Sequence, residues 1–260
     1  MENDERLKAF GELLNIMDKL RVSCPWDMKQ TNESLRKLTI EETYELADAI
    51  IENDSKAICK ELGDLMLHIV FYAKIGSEKG IFDITDVIRG INKKLMHRHP
   101  HVFGDKVVKS ATEVEDNWER IKQTEDKEYK PVLSGVPDSL PALVKANRVQ
   151  EKVRGVGFDW EIKGQVWNKV EEELEELKEE INNNDPIKTE SEFGDLLFSM
   201  INAARLYEID PETALERTNR KFIKRFNYLE KRTIMEGKSL HDMSLAEMEL
   251  IWQEAKGNDE

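Results

Sequence analysis

The chain has 260 residues, with 39 Lys and Arg against 53 Asp and Glu, giving a formal charge of −14. That length holds one large domain or two small ones, and 39% hydrophobic residues suffice for compact cores. The acidic balance argues against nucleic acid as a partner, because a phosphate backbone is gripped by clustered Lys and Arg. With 35% charged residues and 7 Pro, long solvated helices are expected rather than disorder.

The first residues, MENDERLKAF, contain no apolar core of a secretory leader. The longest apolar run, Leu65–Ala73, is broken by His68 and is too short to span a bilayer, so no membrane partner is expected. Cys24 and Cys59 are too few for a disulfide framework or zinc ribbon, which points to a reducing cytoplasmic compartment. A CPWD segment, Cys24–Asp27, is followed by Gln30 and Thr31, and Cys24 has no nearby base, so it reads as an ordinary thiol.

Next come IEETYELADAII at 40–51, a polar break at Asn53-Asp54, and ELGDLMLHIVFYAKI at 61–75. Apolar residues Leu62, Leu65, Met66, Ile69, Val70 and Ala73 recur at three and four, the period of a helix with one apolar stripe. The segment Asn92–Arg98 leads into HRHPHVF at His97–Phe103, and Val102–Val108 is the one weak strand candidate. His97, His99 and His101 have the spacing of a strand chelate, but Pro100 interrupts it and no Cys or acid accompanies it; a structural or loop-forming role is the better reading. Trp118 follows, and KPVLSGVPDSLP then breaks the helical period, placing a linker at residues 131–141 between domains 1–130 and 142–260.

The second domain repeats the first. After VGFDW at Val156–Trp160 come EEELEELKEE at 171–180, a break at Asn182–Pro186, and EFGDLLFSMINAARL at 192–206, where Leu196, Leu197, Met200, Ile201 and Ala204 repeat the stripe. Glu42, Glu45, Glu61 and Asp64 map onto Glu173, Glu176, Glu192 and Asp195 by one constant shift, 173 − 42 = 131. Asn92, Lys94 and Arg98 likewise resemble Asn219, Lys221 and Arg225, and Trp118 resembles Trp252. An all-α tandem repeat follows.

On a helix, residues three or four apart share a face, so Glu42 with Glu45 and Glu61 with Asp64 converge. Two helices joined by a short break pack antiparallel, which gathers all four acids. Like charges at close range need raised pKa values or a cation, and hard oxygen donors without Cys or His suit Mg²⁺ or Mn²⁺. An acidic run such as Glu171–Glu180 is by itself an ordinary solvated face; the ExxD half beside the apolar stripe, twice over, favours metal. Gly63 and Gly194, inside these helices at a cost of about 1 kcal/mol relative to Ala, suggest close helix approach.

These residues carry a family resemblance. EExxE followed by ExxD resembles the signature of the MazG-type all-α nucleoside triphosphate pyrophosphohydrolases, and the CPWD, HRHPHVF and VGFDW segments resemble its two-domain bacterial members over nearly the whole chain. The resemblance implies two four-helix-bundle-like domains, a homodimer, and Mg²⁺-dependent hydrolysis of nucleoside triphosphates to monophosphate and pyrophosphate, cleaning or regulating the nucleotide pool. It implies metal ligation by Glu173, Glu176, Glu192 and Asp195, and by Glu42, Glu45, Glu61 and Asp64 in the first copy. It places Lys188, Lys221, Arg225 and Trp252, with Lys94, Arg98 and Trp118 in the first copy, against phosphate or nucleotide. Glu172 and Glu41, which lead each motif without having to be ligands, are the candidates to orient or deprotonate water.

Subtracting 131 from Lys188 gives Ala57, so the second domain is the better candidate for catalysis. A ferritin-like di-iron bundle would need Glu-x-x-His pairs, and no Glu here has His three residues on. The remaining rival is a non-catalytic helical dimerisation or regulatory module.

Overall fold

The computed structural model describes residues 4–108, 110, 113, 114, 117, 118, 121, 131–235 and 237–257. The chain divides into two compact units, Met1–Trp118 and Glu119–Glu260.

Unit 1 runs α1 (Glu5–Ser23), a 3-10 turn (Asp27–Lys29), α2 (Asn32–Glu52), α3 (Ser55–Glu78), α4 (Ile84–Arg98) and the single turn α5 (Pro100–Phe103). Polar side chains start its helices. The Asp4 carboxylate accepts from Arg6 N, Thr31 and Ser34 form a reciprocal capping box on α2, and Asp83 and Asp86 form one on α4. The α2–α3 corner is tight because Asn53 takes the left-handed conformation (φ 55°), which Asn tolerates, and Asp54 then caps α3 through Lys56 N and Ala57 N. The core beneath is Met17, Leu35, Val70, Phe71 and Ile75, with Phe10, Leu13 and Leu14 of α1 packed on it.

Unit 2 runs a 3-10 turn (Val132–Gly135), α6 (Ala142–Arg154), α7 (Gln165–Asn183), α8 (Pro186–Leu206), α9 (Pro211–Met235), a 3-10 turn (Leu240–Asp242) and α10 (Leu245–Gly257). Its α7–α8 corner copies the first: Asn184 is left-handed (φ 53°), and Asp185 accepts from Ile187 N and Lys188 N with Pro186 in the first turn. Val166, Val170 and Ala203 form the core. The Pro-rich segment before α6 packs on it, since Lys152 Nζ donates to Val132 O at 3.1 Å and Lys145 Nζ to Asp138 O at 2.6 Å.

Two expectations need correction. Val102–Val108 is no strand: Pro100 starts a helical turn after His99, so Val102 N and Phe103 N both donate to His99 O, and no strand occurs among the described residues. The apolar stripe of α3 does not face one core either. Val70 and Ala73 are buried, whereas Leu62, Met66 and Ile69 are exposed, and α8 likewise exposes Leu197 and Met200. The width of the stripe exceeds what one neighbouring helix layer covers.

Phe71 is 2% exposed at the centre of unit 1. Phe71→Ala is expected to lower the unfolding free energy by about 3–5 kcal/mol, measured by urea denaturation.

Candidate functional site

The two Asn-Asp corners set the registers of α2 on α3 and of α7 on α8, and those registers place the acids. One carboxylate oxygen each from Glu42, Glu45 and Glu61 lies within 4.8 Å of the others, and Glu173, Glu176 and Glu192 form the same triple in unit 2. Asp64 and Asp195 fall outside these triples; burial raises the pKa of Glu42 and of Glu192, and Asp64 adds to the first while Glu176 and then Asp195 add to the second. Desolvation is the larger cause in both cases, followed by the surrounding carboxylates. Glu41 and Glu172 are exposed beside the triples.

The two clusters are neutralised differently. In unit 1 Lys60 Nζ lies 2.9 Å from Glu61, 3.7 Å from Asp64 and 3.8 Å from Glu45. The position 131 residues on is Ser191, which has no charge. In unit 2 Lys169 Nζ lies 2.8 Å from both Glu172 and Glu173, raising the lysine pKa, chiefly through the hydrogen bond to Glu172. Among the described residues, Glu176 and Glu192 then have no lysine or arginine partner. The sequence reading missed both lysines: Lys169 maps to Leu38, so neither belongs to the repeat that singled out the acids.

The donor set fits a divalent cation. Every donor is a carboxylate oxygen, and Glu61, 5% exposed, has an Oε2 with no hydrogen-bond partner among the described residues. A buried orphan acceptor beside other acids is costly unless a cation completes it.

The other expected site residues belong to neither triple. Arg225 lies over the Trp252 ring (5.9 Å), and that ring packs 5.0 Å from Phe222 on α9, so Trp252 docks α10. Lys188 pairs with Glu180 at 3.5 Å, while Lys221 and Lys94 are exposed and Arg98 is half-buried. His99 packs edge-on to Trp118 (5.3 Å), and its Nδ1 lies 2.7 Å from Leu95 O, a structural role. Gly63 and Gly194 do not mark close helix approach: a Cβ at either would meet nothing within 4 Å. Both lie on exposed helix surface, so the expected steric reason is absent. The VGFDW segment is tied down by Asp159, which meets Arg205 at 2.5 and 3.0 Å. Burial pushes that carboxyl up, but the Arg205 hydrogen bond and charge hold it below its usual range.

An all-α unit whose antiparallel helix pair gathers three glutamates, seen once in each half of the chain, offers an all-oxygen site that could hold a divalent cation. The MazG nucleotide pyrophosphohydrolase domain model matches residues 30–103 and 165–229. The nucleoside triphosphate pyrophosphohydrolase/pyrophosphatase MazG of Thermotoga maritima is 45% identical over 96% of this chain and 97% of its own. A nucleoside triphosphate pyrophosphohydrolase of Escherichia coli is 41% identical over 96% and 98%. A solved mazG-related protein from Thermotoga maritima is 28% identical, covering 44% of this chain and 98% of its own, with a TM-score of 0.39. The chain belongs to the MazG nucleotide pyrophosphohydrolase family.

Glu42 and Glu192 keep their protons to higher pH in the folded state than in the unfolded chain. Their contribution therefore favours the fold at acid pH and is lost as pH rises through the raised values. Mg²⁺ is expected to raise the melting temperature of chelator-treated protein more at about pH 7.5 than at about pH 5. Equal shifts at both, in a calorimetric scan, would remove the metal from these clusters.

Proposed function

We propose that unit 2 hydrolyses nucleoside triphosphates to monophosphate and pyrophosphate, with Mg²⁺ or Mn²⁺ held by Glu173, Glu176, Glu192 and Asp195. Family membership carries the reaction class. The observation that favours unit 2 is its incompletely neutralised acid triple. In unit 1 Lys60 already sits among Glu45, Glu61 and Asp64, whereas Glu176 and Glu192 have no basic partner among the described residues. The same ligand set in unit 1, Glu42, Glu45, Glu61 and Asp64, is thus partly satisfied by the chain itself.

A bound divalent cation supplies charge neutralisation for the polyphosphate and makes a nearby water more acidic. The chain's own residues do the rest. Glu172, anchored by Lys169 at 2.8 Å, has a second carboxylate oxygen available to orient the attacking water and take its proton. Glu41 holds the corresponding place in unit 1. Lys221 and Arg225, one turn apart on α9, bind the phosphate tail, with Lys188 at the start of α8. Lys94 and Arg98 are their unit 1 counterparts. Trp252 stabilises this end of the site by packing on Phe222 and under Arg225.

The active species is a homodimer. Phe193, Leu197 and Met200 lie at intervals of four and three on α8 and are 50%, 59% and 44% exposed, an apolar strip that supports burial against a second copy. Among the described residues no helix is long and apolar enough to cross a membrane, and Cys24 and Cys59 are unpaired, both in keeping with a reducing cytoplasmic setting.

Incubation with each nucleoside triphosphate and Mg²⁺ is expected to yield monophosphate and pyrophosphate, separated by ion-exchange chromatography. Diphosphate plus phosphate would assign a different bond, and no turnover would favour a non-catalytic dimerisation module. Glu173→Ala is expected to reduce kcat/KM on the order of 100-fold or more, and Glu42→Ala far less. The reverse ranking would move catalysis to unit 1.

A further inference from the structure

We propose that Lys60 is a tethered counter-ion that competes with divalent cations at the first acid triple, so that the two units load at different cation concentrations, unit 2 first. The proposal rests on the cation-binding reading of the triples and not on the hydrolysis assigned to unit 2.

Lys60 stands on α3 immediately before Glu61, and its Nζ reaches acids on both helices of the hairpin. It donates to Glu61 Oε1 at 2.9 Å and lies 3.7 Å from Asp64 on α3 and 3.8 Å from Glu45 on α2. Glu45 and Glu61 are two of the three acids of the triple. The ammonium therefore occupies the surroundings that a divalent cation needs, and because both are positive the cation enters only as Lys60 withdraws. Withdrawal meets no obstacle: the lysine side chain is 65% exposed and has a flexible four-carbon stem.

The neutralisation by Lys60 is incomplete, which keeps the site receptive. Glu61 is 5% exposed; Lys60 takes its Oε1, and its Oε2 has no hydrogen-bond partner among the described residues. One ammonium charge spread over several carboxylates leaves the cluster negative, so a dication is still attracted. Exposed ion pairs are individually weak, and the set held by one ammonium corresponds to a loss of cation affinity of about tenfold.

The internal repeat supplies the contrast. Ser191 is the counterpart of Lys60, since 191 − 60 = 131, and it stands immediately before Glu192 as Lys60 stands before Glu61. It is seven residues beyond the left-handed Asn184, as Lys60 is seven beyond Asn53, so the two positions have the same register on their hairpins. Ser191 is exposed and uncharged. The lysine of unit 2, Lys169, sits on α7 itself and divides its charge between Glu172 and Glu173. Two clusters with the same acids thus differ by one residue at the start of ExxD. Unit 2 carries its cation at a low divalent level, and unit 1 fills only as that level rises.

The test is a titration of chelator-treated full-length protein with Mn²⁺, without nucleotide, followed by calorimetry and by the electron paramagnetic resonance of free Mn²⁺. Two classes of site are expected, about tenfold apart in Kd. Glu173→Gln is expected to remove the tighter class and Glu42→Gln the weaker. Lys60→Ser, which copies unit 2, should tighten the weaker class about tenfold, and Ser191→Lys, which copies unit 1, should weaken the tighter class by a similar factor. Ser191→Lys changes an exposed position and tests the same competition should Lys60→Ser not fold. Lys56→Ser removes the same charge one turn earlier on α3 and is expected to leave both classes unchanged. A weaker class unchanged in folded Lys60→Ser, or tightened equally by Lys56→Ser, would overturn the proposal. So would loss of the tighter class in Glu42→Gln, which reverses the order of loading. If the titrations run as expected and no nucleotide is cleaved, the hydrolase reading fails and the role of Lys60 stands. If Mn²⁺ binds at neither triple, the cation reading and the proposal fall together.

Discussion

Carboxylates forced together on two antiparallel helices repel, and that repulsion organises each unit. Asn53-Asp54 and Asn184-Asp185 reverse the chain within a few residues, one Asn left-handed and the following Asp capping the next helix. A corner this short fixes register, and the register brings three glutamates within 4.8 Å. The same geometry that makes a sound helical hairpin thus creates a charge problem that a raised pKa relieves in part and a cation relieves further. The chain offers a lysine to each cluster, but the two lysines do different things.

In unit 1 the lysine is inside the problem, within 4.0 Å of three acids. In unit 2 it stands at the edge, bridging Glu172 and Glu173. A tethered ammonium has one charge and three donors, while a divalent cation has two charges and accepts six or more oxygens. Lys60 is therefore a partial substitute, adequate for holding helices together and poor for gathering phosphate oxygens. The replacement of Phe71 by Asn202 follows the same division. Unit 1 closes its core around a ring; unit 2 gives up part of that packing and gains a polar-lined opening. Stability and access have been separated between two copies of one hairpin.

Most of the architecture was legible because it repeats. The acids, the Asn-Asp corners and the helical period recur at a shift of 131, and each has a local physical meaning independent of tertiary context. What does not repeat was missed. Lys60 and Gln150 carry ordinary helical spacing, and their meaning arises only when α3 meets α2 or α6 meets α8, while Lys169 reaches Glu172 and Glu173 within its own helix, a spacing common to any solvated helix face. Val102–Val108 misled because three β-branched residues and a Phe outweigh, in pattern, the start signal that Pro100 gives to a helical turn. The glycines misled for a related reason: a glycine in a helix has a cost but not a unique cause, and at 63 and 194 the space beside it is open.

Net charge sharpens the account of recognition. A chain at −14 repels a polyphosphate at long range, and screening at physiological salt confines that field to about 8 Å. Attraction must then be local, from cations placed within hydrogen-bonding reach and from contacts that do not depend on charge. Lys169 and Arg205 are each already committed to a carboxylate, so neither is a free electrostatic lure. An acidic protein that must hold an acidic ligand needs a local positive charge to do so, and the acid triples are where the chain could hold a cation.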